Sequence, residues 1–301
     1  MSFPLGSLSL LKLVSTFFIF LSFSLLPSAF ASPIPNPIVF DIKHNITYLG
    51  ITSSPGVEKF LNIPYGLSTA GSRRFASPEP AYLPSGTIYN ATVPGPVCPQ
   101  TTVPGFPWFS NLTEGDLSED CLRLKVARPV GTKEEDELPV FVWVYGGGLF
   151  NGHINGRTNE PDALILESVA NGLPVIFVAM NYRLNIFGFA LSEALRETND
   201  LNVGLKDQRL VLEWVKENIG SFGGSPDKVT IFGQSSGALS VTLQILAYGR
   251  TKGAPFHSAI MESVRDRAMA RVRKEARTRP STLGGNYGVD SATEQVAKYN
   301  V

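Results

Sequence analysis

The feature that most constrains this chain is a short apolar run that enters a Gly-x-Ser-x-Gly motif. The run is Val229-Thr230-Ile231-Phe232, the motif spans Gly233 to Gly237, and an apolar helix pattern follows through Leu246. A sharp turn from a strand into a helix strains the backbone of its serine and leaves no room for flanking side chains, which explains the two glycines. The pattern predicts that Ser235 is a nucleophile at the top of a buried strand. The alternative is a structural serine in a turn.

A second apolar run ends in three successive glycines. The residues from Val140 to Tyr145 lead into Gly146, Gly147 and Gly148. Because residues without a Cβ let neighbouring N–H groups close on one atom, Gly147 and Gly148 are predicted to donate hydrogen bonds to an oxyanion, with the backbone N–H of Ser236 as a third donor. A plain loop and a phosphate-binding loop are alternatives, and the second lacks the Lys-Ser/Thr pair of a P-loop.

These runs alternate with helix patterns. Val175 to Met180 is a further apolar run, and Lys206 to Ile219 has apolar residues at the spacing of a helix face before Gly220. Such alternation predicts an α/β fold, in which a mostly parallel central sheet has helices on both faces and a site at the carboxyl ends of its strands. Before about residue 130, short extended stretches between Pro, Gly and Ser predict small β structure and long loops.

The amino terminus has the pattern of a signal peptide. Lys12 precedes an apolar run from Leu13 to Leu26, and Ala29-Phe30-Ala31 supplies a small-x-small cleavage pattern. The run of about 14 residues is shorter than the roughly 20 that span a bilayer, which argues against a membrane anchor. We expect a signal peptide over residues 1–31, cleavage after Ala31, one domain over residues 32–301, and a secreted protein without stable membrane insertion.

Sequons and cysteines agree with export. Asn45, Asn90 and Asn111 each begin an Asn-x-Thr acceptor sequence for N-glycosylation. The only two cysteines, Cys98 and Cys121, predict one disulfide that closes a loop of about 23 residues.

Charge and composition limit the classes of partner and cofactor that we expect. The chain has 26 basic and 26 acidic side chains, so no long-range field favours nucleic acid or an anionic membrane. Two cysteines and three scattered histidines do not suggest a metal site, and no cofactor is expected. A small neutral substrate suits this balance, while the oligomeric state is not predicted.

Together, the two glycine motifs resemble the paired signatures of the type B carboxylesterase/lipase family, which includes cholinesterases and fungal secreted lipases. Further segments resemble the family's landmarks in the same order, namely Phe60 to Tyr65, Ser118 to Leu122, Asn181 to Leu184, Gly204 to Arg209 and Phe222 to Lys228. The resemblance runs from about residue 37 to Ser263. It implies an α/β-hydrolase fold, a Cys98–Cys121 disulfide, and hydrolysis of small-molecule or lipid carboxylic esters through an acyl-enzyme on Ser235.

Three residues depart from the family pattern. Gln234 and Ser236 flank the serine where the family usually has Glu and Ala, and Leu149 replaces a common Phe after the glycines. Neither flanking change removes a backbone donor. The change at Leu149 is expected to alter the pocket wall more than the mechanism.

A serine nucleophile needs a histidine base that a carboxylate orients. The family order places both after the serine. The only later histidine, His257, is interpreted as a packed residue on a core strand, and His153 and His44 precede the serine. We therefore expect a hydrolase domain truncated at its carboxyl-terminal side, without the triad acid and histidine. The alternative is a catalytically silent fragment or binding protein of the same fold.

The atypical segment 264–280 interrupts the family pattern. Its basic residues are Arg265, Arg267, Arg271, Arg273, Lys274, Arg277 and Arg279. Three interpretations stay open: translated intron sequence, a solvated helical face, and a surface for an anionic partner.

Overall fold

The computed structural model describes residues 36–101 and 112–263 of the chain. The predictions for the signal peptide, for Asn111 and for segment 264–280 lie outside these residues. The strands are β1 (Ile38–Asp41), β2 (Ile46–Leu49), β3 (Ile51–Ser54), β4 (Val57–Pro64), β5 (Ile88–Asn90), β6 (Arg123–Pro129), β7 (Leu138–Val144), β8 (Ile176–Met180), β9 (Gly224–Gln234) and β10 (Ser258–Glu262). The α-helices are α1 (Asp162–Ala170), α2 (Asn185–Phe189), α3 (Glu193–Glu197), α4 (Val203–Asn218) and α5 (Ser236–Leu246).

The strands form a large and a small sheet. The large sheet has seven strands in the order β10-β9-β7-β8-β6-β4-β3, and the small one has the order β1-β2-β5. Strands β10, β9, β7 and β8 are parallel, whereas β6, β4 and β3 extend the sheet through antiparallel pairs. The predicted parallel core and the small β structure before residue 130 are both confirmed.

One face of the large sheet, which we call the valine face, is fully buried. Its central row consists of Phe60, Val126, Val178, Val142 and Ile231, all 0% exposed. Phe222, in the turn after α4, packs edge-on against Phe60 with ring centroids 5.2 Å apart. On α5, the Thr242 hydroxyl lies 3.3 Å from the sulfur of Met261, which belongs to the same face. Helices α4 and α5 therefore cover the valine face.

The opposite face of the large sheet, which we call the aromatic face, is less uniform in its side chains and in their burial. Its matching row consists of Lys125, Ala179, Trp143, Phe232 and Ile260. Lys125 is buried and its ammonium lies 3.3 Å from the carboxylate of Glu160, just before α1. Helix α1 thus lies on this face, and the prediction of helices on both faces is confirmed.

Strand β7 is fully buried on one side only. Val140, Val142 and Val144 are buried on the valine face, but Phe141 and Trp143 are only half-buried. Side chains alternate between the two faces of a strand. The part of the aromatic face near β7 is partly open to solvent, so only one side of the strand is dry.

Element boundaries differ from the prediction by a few residues. Strands β2 and β3 are separated by Gly50, where a Cβ atom would lie 2.6 Å from the carbonyl oxygen of Lys59. Helix α4 begins at Val203, three residues before the predicted start. Strand β6 and helix α1 were not predicted.

A buried ion pair joins the end of β8 to α4. The guanidinium of Arg183 donates to both carboxylate oxygens of Asp207, at 2.9 and 2.7 Å, and the backbone N–H of Arg183 donates to Asp207 at 2.9 Å. The remaining guanidinium nitrogen donates to the carbonyl oxygen of Ala76 at 2.7 Å. Both charged groups are therefore hydrogen-bonded, as buried charges must be.

The disulfide between Cys98 and Cys121 is present, with the two Cα atoms 4.9 Å apart. Both cysteines are fully buried. The predicted pairing is confirmed, and it links the loop before β6 to the segment that precedes the undescribed residues 102–111.

Candidate active site

Ser235 lies on the turn between β9 and α5. Its backbone has φ +57° and ψ −123°, a conformation that non-glycine residues rarely adopt. The side chain is exposed, and the backbone N–H donates to the carbonyl oxygen of Glu262 at 2.9 Å. The predicted strain at this serine is confirmed, and neighbouring β10 holds the turn in place.

The glycines on either side of Ser235 leave room for this turn. A Cβ atom on Gly233 would lie 2.6 Å from the carbonyl carbon of Gly237 and 2.7 Å from the carbonyl oxygen of Val144. On Gly237 it would overlap that same oxygen. The prediction that side chains at both positions would collide is confirmed.

The three glycines after β7 run alongside the serine turn. At Gly146, a Cβ atom would lie 3.2 Å from the Cβ of Ser235. Gly147 and Gly148 have φ values of +113° and +69°, which glycine adopts without strain. The carbonyl oxygen of Gly147 accepts hydrogen bonds at 3.1 Å from the N–H groups of two following residues, which closes the turn. The structure thus brings the predicted glycine loop and the serine together.

The side chain of Ser236 connects the two motifs. Its hydroxyl oxygen accepts a hydrogen bond of 3.3 Å from the backbone N–H of Leu149. Leu149 itself has φ +66°, an unusual conformation for leucine. Sequence reasoning assigns a role only to the backbone of Ser236 and misses this link. The sequence does contain one hint of this hydrogen bond, because a serine stands at this position where the family usually has alanine.

Two stacked tyrosines fix the base of the glycine loop. The rings of Tyr145 and Tyr182 lie 4.5 Å apart at 17°. The Tyr182 hydroxyl donates to the carbonyl oxygen of Tyr145 at 2.9 Å. Burial raises the pKa of both phenols above the ordinary value, so both remain neutral donors. The loop therefore begins from a rigid support.

His257 is hydrogen-bonded, but the prediction of a packed residue on a core strand is wrong. It is exposed, precedes β10, and its ring nitrogen Nδ1 accepts a hydrogen bond of 3.3 Å from the backbone N–H of Val229. Strands β9 and β10 are parallel, so His257 lies at the amino-terminal end of β10 while Ser235 follows the opposite end of β9. At about 3.3 Å per residue the two are about 20 Å apart. His257 is therefore too distant to act on Ser235.

Neither of the other two histidines is hydrogen-bonded to Ser235. His44 bonds to Asp41 in the small sheet, with 2.6 Å between the ring nitrogen and the carboxylate. His153 follows the glycine loop, is 6% exposed, and neither ring nitrogen has a hydrogen-bond partner. Burial lowers the pKa of His153 to about 4, and the positive charge of Lys125 contributes to this shift. Within residues 36–101 and 112–263, no histidine is hydrogen-bonded to Ser235.

A cavity of about 320 Å³ lies beside the serine turn. Gly146, Gly147, Gln234 and Glu262 are among the residues that line it. His153 also contributes to the wall. The sequence does not predict this cavity, because its residues come from four separate segments.

The sequence also predicts glycosylation sites and the lack of a metal site. Asn45 and Asn90 are both exposed, and the side-chain oxygen of Asn90 accepts a hydrogen bond of 2.7 Å from the hydroxyl of Thr92 in the same sequon. Among the described residues, no group of three or more His, Cys, Asp or Glu side chains is arranged to hold a metal ion. No helix in the same part of the chain has the length and apolar character of a membrane span.

The parallel strands, the helices on both faces and the serine turn define an α/β-hydrolase. The Carboxylesterase family matches residues 47–300. The chain belongs to this family, and the match continues beyond Ser263, where the recognised motifs end.

Similar proteins agree with this assignment. A secreted lipase of Arthroderma benhamiae is 47% identical over 229 residues, which cover 75% of this chain and 39% of the lipase. An inactive carboxylesterase-like protein of Byssochlamys spectabilis is 47% identical over 228 residues, with coverage of 75% and 38%. A solved structure of a thermophilic PNB esterase has a TM-score of 0.66 and 36% identity, and the match covers 76% of this chain and 44% of the esterase. The chain spans less than half the length of these relatives.

Proposed function

We propose that the chain is a carboxylic ester hydrolase that forms an acyl-enzyme on Ser235. The observation that carries the proposal is the backbone of this exposed serine, with φ +57° directly before α5 and with the glycine loop alongside. Strained turns persist where surrounding structure holds them, and such strain is concentrated at functional sites. A structural serine would not require this conformation.

In the proposed reaction, the Ser235 hydroxyl oxygen attacks the ester carbonyl carbon while its proton passes to a base. The carbonyl oxygen becomes an oxyanion, and the backbone N–H groups of Gly147, Gly148 and Ser236 donate to it. The positive end of the α5 dipole favours the same charge. The alcohol then leaves with a proton, and water hydrolyses the acyl-enzyme to release the acid.

The base is not assigned to a described histidine. His44, His153 and His257 make no hydrogen bond to Ser235. Without such a base, the oxyanion donors alone would still support residual acceleration of roughly a thousandfold over water.

Turnover of p-nitrophenyl butyrate and labelling with a fluorophosphonate test the proposal in the 301-residue protein. Because no described histidine activates Ser235, we expect only slow turnover at the residual level that the oxyanion donors support and slow labelling of a single serine, both lost in Ser235→Ala. Ser72→Ala, at an exposed serine in the turn Gly71–Arg73, is a matched control that should leave both unchanged. Equal turnover and labelling in Ser235→Ala and the wild type would refute the assignment of the nucleophile.

A catalytically silent protein of the same fold is the second candidate. Two observations favour it: a relative at 47% identity is named inactive, and no described histidine reaches Ser235. A protein that folds but shows neither turnover nor labelling would support this candidate.

We further propose export of the mature protein and glycosylation at Asn45, Asn90 and Asn111. The Arthroderma relative is named a secreted lipase, and two of the three asparagines are exposed in the described residues. Amino-terminal sequencing of the secreted product tests cleavage after Ala31. Deglycosylation followed by mass measurement tests the three sequons, and an unchanged mass would exclude them.

A further inference from the structure

The glycine loop after β7 leaves its two proposed oxyanion donors unpaired. Within the described residues, the N–H groups of Gly147 and Gly148 donate no hydrogen bond to another backbone group. Those of Phe150 and Asn151 both donate to the carbonyl oxygen of Gly147 at 3.1 Å and close the turn. Because the free N–H groups have no partner that fixes their direction, the residues at the ends of the loop must hold them in place.

The two ends of the loop are held in different ways. At the first end, the hydroxyl of Tyr182 donates to the carbonyl oxygen of Tyr145 at 2.9 Å. The second end is Gly152, which has φ +133° and whose Cβ atom, if present, would overlap the ring of Tyr145. Gly152 lies outside the strands, so no neighbouring strand pairs its backbone groups.

One side chain pairs both backbone groups of Gly152. The amide oxygen of Gln100 accepts from the Gly152 N–H at 2.9 Å, and the amide nitrogen donates to the Gly152 carbonyl oxygen at 2.9 Å. The same nitrogen donates to the carbonyl oxygen of Cys98 at 3.2 Å. Gln100 is buried and lies two residues from the disulfide. The end of the glycine loop is thereby tied to a covalently fixed segment.

We propose that Gln100 is a positioning residue for the oxyanion hole. By holding both backbone groups of Gly152, it fixes the second end of the loop and with it the direction of the N–H groups of Gly147 and Gly148. The oxyanion forms only in the transition state, so misdirected donors lower kcat and leave KM nearly unchanged. This inference rests on the proposed function, because it takes these N–H groups as oxyanion donors.

Two matched substitutions in the full chain separate positioning from simple stabilisation. Gln100→Met removes both hydrogen bonds to Gly152 and keeps the length of the side chain. Asn155→Leu is the control, because the side-chain nitrogen of Asn155 donates to the carbonyl oxygen of Gly95 at 3.0 Å and joins the same two segments beyond the loop. Both should lower the melting temperature. Only Gln100→Met should slow fluorophosphonate labelling of Ser235, by roughly tenfold, and lower kcat for p-nitrophenyl butyrate equally with KM unchanged.

Gln100→Glu gives a pH profile that a loss of stability alone would not give. Its carboxylate accepts from the Gly152 N–H but repels the carbonyl oxygen, whereas the protonated acid again has a donor for that oxygen. Burial raises the pKa of such a carboxyl group above about 4.3, so the acid form accumulates as the pH falls toward about 5. The labelling rate of Gln100→Glu relative to the wild type should therefore rise several-fold as the pH is lowered from about 8 to about 5. The corresponding ratio for Gln100→Met should stay constant.

Hydrogen exchange tests the loop without any reaction at Ser235. Gln100→Met should accelerate exchange at the amides of Phe150 and Asn151, which close the turn, and Asn155→Leu should not. If the wild type is neither active nor labelled, the proposed function fails, and exchange at these two amides alone decides whether Gln100 holds the loop. Unchanged labelling in folded Gln100→Met overturns the inference, as do equal losses in Gln100→Met and Asn155→Leu, or exchange that accelerates in neither variant.

Discussion

The valine face and the aromatic face of the large sheet hold the same strands but bury their side chains differently. Ile231 on the valine face is 0% exposed, beneath α4 and α5. On the aromatic face, Phe232 is half-buried and Ile260 is 42% exposed, while Lys125 is buried with a carboxylate partner. Neighbouring residues of one strand therefore lie in unlike environments.

The difference shows where the described residues gain stability. Burial of apolar surface contributes about 25 cal/mol per Å², so a complete layer of valine and isoleucine supplies a large favourable term. A half-exposed aromatic side chain supplies less, and a buried lysine supplies little after its desolvation cost. We conclude that the valine face stabilises the fold, whereas the aromatic face contributes mainly near α1.

The largest expected effect concerns the ion pair that holds α4 at the sheet. Asp207→Ala leaves the buried guanidinium of Arg183 without its carboxylate, and we expect a loss of about 3–5 kcal/mol in the free energy of unfolding. Urea unfolding measures the loss. Glu213→Ala, at an exposed position on the same helix, is the control and should cost under about 1 kcal/mol. A small loss at Asp207 would show that α4 is held by apolar contact alone.

A matched pair of substitutions compares the two faces directly. Ile231→Ala removes a fully buried side chain and is expected to cost about 3 kcal/mol, because it leaves a cavity. Ile260→Ala makes the same chemical change at a side chain that is 42% exposed, and we expect under about 1 kcal/mol. Equal costs in urea unfolding would mean that the aromatic face is as well packed as the valine face.

Much of the valine face is predictable from the sequence alone, since continuous apolar runs identify β7, β8 and β9. The serine turn and glycine loop are predictable for a different reason: steric limits require glycine at Gly233 and Gly237. Burial of Lys125 is not predictable, because its partner Glu160 lies 35 positions away along the chain. The same limit applies to the cavity at His153 and to the buried ion pair between β8 and α4, which depend on tertiary contacts between distant segments.

The next effect on stability concerns the buried imidazole of His153, near the aromatic face. The pKa of His153 falls from the ordinary value of 6.5 to about 4 in the folded protein, chiefly through burial. Between pH 6.5 and pH 4 the unfolded chain therefore binds more protons, so stability falls as the pH is lowered through this window. We expect about 2 kcal/mol of this loss to come from His153, after allowance for solvent screening. Thermal unfolding of His153→Phe across the window should show a shallower decline, and identical slopes would contradict the assignment.

The smallest effect concerns the link between the serine turn and the glycine loop. Ser236→Ala removes the acceptor of the 3.3 Å hydrogen bond from the Leu149 N–H, and we expect a cost of about 0.5–1 kcal/mol. Hydrogen exchange at the Leu149 amide should accelerate, while the amide of Ser235, bonded to Glu262 of β10, should be unaffected. Ser236→Thr keeps the hydroxyl and should retain slow exchange. Acceleration at both amides in Ser236→Ala would instead mean that the turn and the loop open as one unit, and that the hydroxyl stabilises the whole site rather than the loop alone.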